Sequence, residues 1–189
     1  MRDGGYRVIT VSGLPGSGTS TLCREVCERL GWQHLNSGDL FRQMAEEMKV
    51  SLGELGRRAE EDAEIDRELD ERMVRAARST EGVVLEGRLT GWMAMRHQLQ
   101  AYRVWVDAPP EVRARRVAER ELKEVALATR ETIAREQSEA ARYAAIYEID
   151  LADLSVYHLV IDSGRHAAPE CADQIQAAID LRKDCHATG

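Results

Sequence analysis

The stretch Gly13-Leu-Pro-Gly-Ser-Gly-Thr-Ser-Thr21 constrains this chain more than any other. It follows a β-branched run, Arg7-Val-Ile-Thr-Val-Ser12, and precedes a helical pattern from about Ser20 to Leu30. A strand, a glycine turn and a helix in that order let backbone N–H groups curl around phosphate oxygens, with the positive end of the helix behind them. The spacing fits G-x-x-x-x-G-K-[ST] at every position but one: Thr19 stands where lysine belongs. Ser20 then falls on the position of a Mg²⁺-binding hydroxyl. The motif predicts triphosphate binding by Gly13, Pro15, Gly16, Ser17, Gly18, Thr19, Ser20 and Thr21. Threonine donates a neutral hydrogen bond and brings no charge, so the missing charge has to come from elsewhere. Lysine is scarce here, at Lys49, Lys123 and Lys183, against 23 arginines, so arginine is the expected source.

Short β-branched runs alternate with longer amphipathic stretches, which predicts an α/β fold around a parallel sheet. Strands are expected at 7–12, 33–36, 82–86, 102–107 and 157–162. Long helices are expected at Pro110–Ala126, Arg130–Tyr147 and Pro169–Leu181, and surface helices within the polar stretch Glu54–Arg78. The 189 residues suit one domain. A net charge of −7 disfavours a nucleic-acid partner. No apolar run approaches the ~20 residues of a membrane helix, and Met1–Tyr6 lacks signal-peptide character. A cytoplasmic, monomeric protein is the default expectation.

The second motif is Val83-Val-Leu-Glu-Gly-Arg88. An acidic residue at the end of a parallel strand lies near the phosphates in such folds, so Glu86 is expected to hold Mg²⁺ and Arg88 to reach a second substrate's phosphate. A loop salt bridge is the plainer alternative. Cys23 and Cys27 stand one helical turn apart, but a zinc site would need two more ligands, with Cys185 and His186 as the nearest thought. Buried free thiols are the expectation. The five histidines (His34, His97, His158, His166, His186) show no pairing that suggests catalysis.

With these residues in view, the chain resembles the nucleoside monophosphate kinases, specifically the compact cytidylate kinases typical of archaea. The anchors are 13–21, Ser37-Gly-Asp-Leu-Phe-Arg42, 64–71, 84–93, Trp105-Val-Asp-Ala-Pro109 and 146–155. The resemblance implies a three-layer P-loop fold with a core (1–36, 81–118, 148–189), a monophosphate-binding segment (37–80) and a lid (119–147). It implies ATP with Mg²⁺ as donor and a pyrimidine nucleoside monophosphate, CMP or dCMP, as acceptor. Ser37, Asp39, Arg42, Arg88 and Glu139 are implied on the acceptor side, with Asp39, Asp66 and Arg67 as candidate cytosine readers. Arg116 is implied against the donor, although Arg113, Arg116 and Arg120 also fit a solvated basic face. Arg135 and Arg142 are implied in the lid as the charge Thr19 lacks, making Arg88, Arg135 and Arg142 the expected catalytic set. Another small acceptor, or nucleotide binding without catalysis, are the rival readings.

Overall fold

The computed structural model describes residues 6–187, with side chains described to residue 180. Five strands form one wholly parallel sheet in the order β2-β3-β1-β4-β5. They are β1 (Val8–Gly13), β2 (Gln33–Asn36), β3 (Val83–Glu86), β4 (Ala101–Asp107) and β5 (Leu159–Asp162). β1 is buried along its whole length, as a central parallel strand covered on both faces must be. The helices are α1 (Thr19–Leu30), α2 (Ser37–Glu47), α3 (Leu52–Glu61), α4 (Ala63–Ser79), α5 (Thr90–Arg96), α6 (Pro110–Glu121), α7 (Val125–Tyr147) and α8 (Ala168–Ala187).

Strand periodicity sorts the core into two faces. Ile9, Val11, Val84, Val104 and Val106 pack against Leu22, Cys23 and Val26 of α1 and against Cys171 and Ile175 of α8. Val8, Val83, Leu85 and Ala101 face Met73 and Ala77 of α4 and Ala94 of α5. The result is the three-layer α/β arrangement that the alternating pattern predicts.

Register gathers the chemistry at one end. Val11 of β1 and Asn36 of β2 both lie opposite Glu86 of β3. β3 and β4 follow one another in the chain yet flank β1 on opposite sides. The loops leaving the strand ends therefore diverge and open a crevice there.

The structure moves several boundaries. The corner between the two long helices comes at Leu122–Glu124, so α7 starts five residues before the expected Arg130. Leu122 adopts a left-handed conformation (φ 52°) and closes α6 through backbone bonds to Ala118 and Glu119. That cap carries no glycine or asparagine signal in the sequence. α5 was not expected at all, because seven residues are too few for a readable period. The polar stretch 54–78 is not all surface. Leu55, Ala59 and Ile65 form a small core with Met44 and Ala45 of α2.

Candidate functional site

A cavity of about 980 Å³ opens over the carboxyl ends of β1, β2 and β3. Its floor is the glycine loop. Gly16 takes φ 81°, and an added Cβ there would collide with the Arg113 carbonyl. Gly18 is left-handed at φ 90° and starts α1 without a side-chain cap, so the first-turn N–H groups of that helix remain available to an anion. Two arginines of α6 brace the loop from behind. Arg113 donates to the Pro15 carbonyl (3.3 Å) and pairs with Glu136. Arg116 donates to the Gly16 carbonyl (3.3 Å), to Ser163 Oγ (3.0 Å) and to the Ser163 carbonyl (2.8 Å).

Glu86 is the hub of the floor. Its Oε1 accepts from Thr19 Oγ1 (2.7 Å) and Ser20 Oγ (2.6 Å). Its Oε2 accepts from Asn36 Nδ2 and from His34 Nε2 at 2.9 Å. An ionised carboxylate can only accept, so Nε2 carries the imidazole proton. Burial pushes the Glu86 carboxyl up, but the bonds from His34, Ser20, Thr19 and Asn36 together outweigh it and hold the group at about 2. Asn36 works twice, because its Oδ1 also accepts from the N–H groups of Gly38 and Asp39 and caps α2. Ser20 and Glu86 are adjacent oxygen donors, one ionised, which is the donor set a hard Mg²⁺ ion takes.

Arginines and carboxylates make the opposite walls. Arg88 bridges floor and wall, donating through NH1 to the Gly13 carbonyl (2.8 Å) and through Nε to Glu139 of α7 (2.9 Å). Glu139 is shared, because Arg135 Nε donates to its other oxygen at 2.8 Å. Burial pushes the Glu139 carboxyl up, and the two guanidiniums more than reverse that. Arg142 Nε donates to Asp66 of α4 at 2.8 Å, where the Asp66 side chain is 4% exposed. Ser138 of α7 donates to Glu60 of α3 (2.7 Å), and Tyr147 donates to Asp70 of α4 (2.6 Å). Helix α7 thus lies across the cavity, tied to α3 and α4 by these polar contacts and to α4 also by the packing of Tyr143 and Tyr147 with Val74.

Not every expected residue reaches this cavity. Gly13, Pro15, Gly16, Thr19, Ser20, Ser37, Arg42, Glu86, Arg88, Arg135, Glu139 and Arg142 line it. Ser17, Gly18, Thr21, Asp39 and Arg116 stand outside its lining, and Asp39 is bound to Arg42. Of the three candidate base readers only Asp66 lines the wall; Arg67 pairs with Glu64 on the outer surface. His34 and Asn36 were missed by sequence reading. The one available signal was strand alternation, which puts residues 34 and 36 on the same face. The side chains of Cys185 and His186, once weighed as zinc ligands, lie outside the described residues.

The cytidylate kinase-like family matches residues 8–165. The chain belongs to the cytidylate kinase-like family. A cytidylate kinase of Pyrococcus abyssi is 47% identical over 176 residues, spanning 93% of this chain and 95% of the relative. The cytidylate kinases of Methanococcoides burtonii and Halobacterium salinarum are 44% and 43% identical, covering 92% of this chain and 97% and 89% of theirs. Among solved structures, a shikimate kinase from Acinetobacter baumannii in complex with shikimate aligns with TM-score 0.64 at 17% identity, covering 94% of this chain and 95% of that one. TT1252 from Thermus thermophilus aligns with TM-score 0.64 at 19% identity, covering 94% and 98%. At that identity these structures speak for the fold alone. No described helix is long and apolar enough to cross a membrane.

Proposed function

We propose that this protein is a cytidylate kinase, transferring the γ-phosphoryl group of ATP to CMP or dCMP. Kinship with cytidylate kinases over nine-tenths of the chain supports the activity. The observation that carries the site assignment is that one cavity joins the glycine loop and Glu86 to Arg42, Arg88, Arg135 and Arg142.

Phosphoryl transfer asks for positioning and electrostatic stabilisation more than for covalent help. The loop N–H groups at the start of α1 hold the donor phosphates. Ser20 and Glu86 would hold Mg²⁺, which would supply positive charge against the donor phosphates. Arg42 and Arg88 orient the acceptor phosphate in line with the donor. Arg88 already spans the Gly13 carbonyl and Glu139, so it stands where donor and acceptor meet. Arg135 side chain is 61% exposed and tethered at one nitrogen only, which leaves its remaining N–H groups for the transferred phosphoryl. Arg142, fixed by Asp66, serves the nucleoside side. Arg113 and Arg116 are positioning residues for the loop. No general base is needed, because the acceptor phosphate oxygen is ionised near neutral pH. Segment 37–80 forms the acceptor wall and 119–147 the lid, and closure of the lid excludes water.

The test is ADP formation from Mg-ATP with CMP, dCMP, UMP, AMP or GMP, beside a control without acceptor. Turnover selective for CMP and dCMP is expected. ATP binding without turnover for any acceptor would overturn the proposal.

A further inference from the structure

Two side chains beneath the glycine loop, those of Cys23 and His34, touch no substrate in phosphoryl transfer as described, and both meet Glu86. Cys23 Sγ on α1, an imidazole nitrogen of His34 on β2 and a carboxylate oxygen of Glu86 on β3 lie within 4.8 Å of one another. Cys23 is fully buried, Glu86 nearly so, and His34 is partly open to solvent, which provides an entrance. The sequence paired Cys23 with Cys27, but the fold turns Cys23 toward a histidine and a glutamate from two neighbouring strands.

We propose that Cys23, His34 and Glu86 form a binding site for a thiolate-seeking divalent cation of the zinc class, and that filling it withdraws Glu86 from the glycine loop. Thiolate, imidazole and carboxylate are three ligand types that zinc accepts, with water as the fourth, whereas Mg²⁺ takes oxygen donors. Bond lengths of about 2.0–2.3 Å to zinc put tetrahedral ligand atoms roughly 3.5 Å apart, so the three groups must readjust by roughly 1 Å, with His34 Nε2 and Glu86, now 2.9 Å apart, moving slightly outward. Side-chain rotation of His34, on a surface-facing part of an edge strand, can supply that movement. In the metal-free protein, burial first and then the Glu86 charge keep the Cys23 thiol protonated. A cation between the two groups reverses the sign of that interaction. On binding, the Sγ proton leaves to solvent, the ring proton of His34 moves to Nδ1, and Nε2 and Sγ each donate a lone pair to the ion. To give the ion an oxygen the Glu86 carboxylate must turn from its present partners, so that Oε1 no longer accepts from both Thr19 and Ser20. The inhibitory part of the inference rests on the role given to Glu86 above, and the binding part does not.

The binding test is a Co²⁺ titration of the metal-stripped full chain, followed by its thiolate-to-cobalt charge-transfer absorption. One Co²⁺ per chain is expected, displaced by Zn²⁺, with the band lost in Cys23→Ala and kept in Cys27→Ala. Turnover with excess Mg-ATP and CMP is measured in parallel, with micromolar Zn²⁺ present or absent. Inhibition by Zn²⁺ is expected to be at least about tenfold weaker in Cys23→Ala than in the parent, since a lost ligand costs that much affinity or more. Should Cys23→Ala not fold, Cys23→Ser replaces it, with a hydroxyl able to donate to Glu86. No band in the parent, or a band that survives loss of Cys23, overturns the site. A Cys23-dependent band with turnover indifferent to Zn²⁺ upholds the site and overturns the placing of Glu86 at the donor phosphates.

Discussion

The floor and the wall of the cavity are built by opposite means. On the floor, polar groups are held by parallel register and by backbone. Glu86 sits at a strand end with four side-chain donors around it, and the loop carbonyls of Pro15 and Gly16 are tied down by α6. On the wall, the guanidiniums are tied to carboxylates on helices, Glu139 of α7 and Asp66 of α4. Arg88 on Glu139 and Arg142 on Asp66 are contacts between residues 51 and 76 positions apart, while Arg135 reaches Glu139 from one turn away on α7. A phosphate can compete for such a guanidinium, whereas nothing needs to move on the floor. On the proposed mechanism the donor would meet a preformed cradle, and charge would be neutralised by groups that exchange partners if α7 closes.

Arg88→Ala breaks that division most severely, because Arg88 is the link between the two regions. Turnover with CMP should fall on the order of a thousandfold, in line with other arginines at transferred phosphoryl groups. Steady-state kinetics checks this, and Arg88→Lys should rescue little, since one ammonium cannot fork between the Gly13 carbonyl and Glu139. Arg142→Ala probes the wall alone. It strands the buried Asp66 carboxylate, so urea unfolding should show a loss of about 3 kcal/mol. Its KM for CMP should rise more than its kcat falls.

The floor was far more legible in the sequence than the wall, for physical reasons that these variants expose. The loop 13–21 is contiguous, so its chemistry is written in one place, and the strand run before it and the helix after it are set by local pattern. Glu86 is legible because strand ends in parallel sheets converge on one edge. The bond from His34 to Glu86 is not, since it depends on β2 pairing with β3 in the register Asn36↔Glu86. Likewise the sequence marks Asp66 as a candidate cytosine reader by location only, and only the packing of α7 over α4 makes it a buried partner of Arg142. Arg116 fitted a donor-binding pattern by position, yet its guanidinium is spent on Gly16 and Ser163. Spacing reports which face a residue occupies and not which neighbour covers that face.

Two smaller effects sharpen the same contrast through pH. Glu86 has a folded value near 2 against an ordinary 4.5, so its ionisation contributes stability above about pH 4.5 that is lost as pH falls toward 2. That contribution is about 3 kcal/mol by linkage, and Glu86→Gln should flatten this part of the stability profile. Asp70, one turn along α4 from the wall residue Asp66, moves the other way. Burial raises its carboxyl to about 7; the bond from Tyr147 lowers it somewhat and the Asp66 charge adds to the rise. Ionising it in the folded state is therefore costly, and stability should decline as pH rises from about 4 to 7. Asp70→Asn, which still accepts from Tyr147, should be more stable than the parent at pH 8 and no different at pH 4, read by thermal melts.

The central claim is that the charge on the transferred phosphoryl group is met from the wall and not from residue 19 of the loop. Its most direct test is kcat at saturating Mg-ATP and CMP for Arg135→Ala beside Thr19→Ala. The account predicts a fall of roughly a hundredfold or more for Arg135→Ala and less than about tenfold for Thr19→Ala, whose hydroxyl serves Glu86. A collapse with Thr19→Ala and near-normal turnover with Arg135→Ala would contradict it.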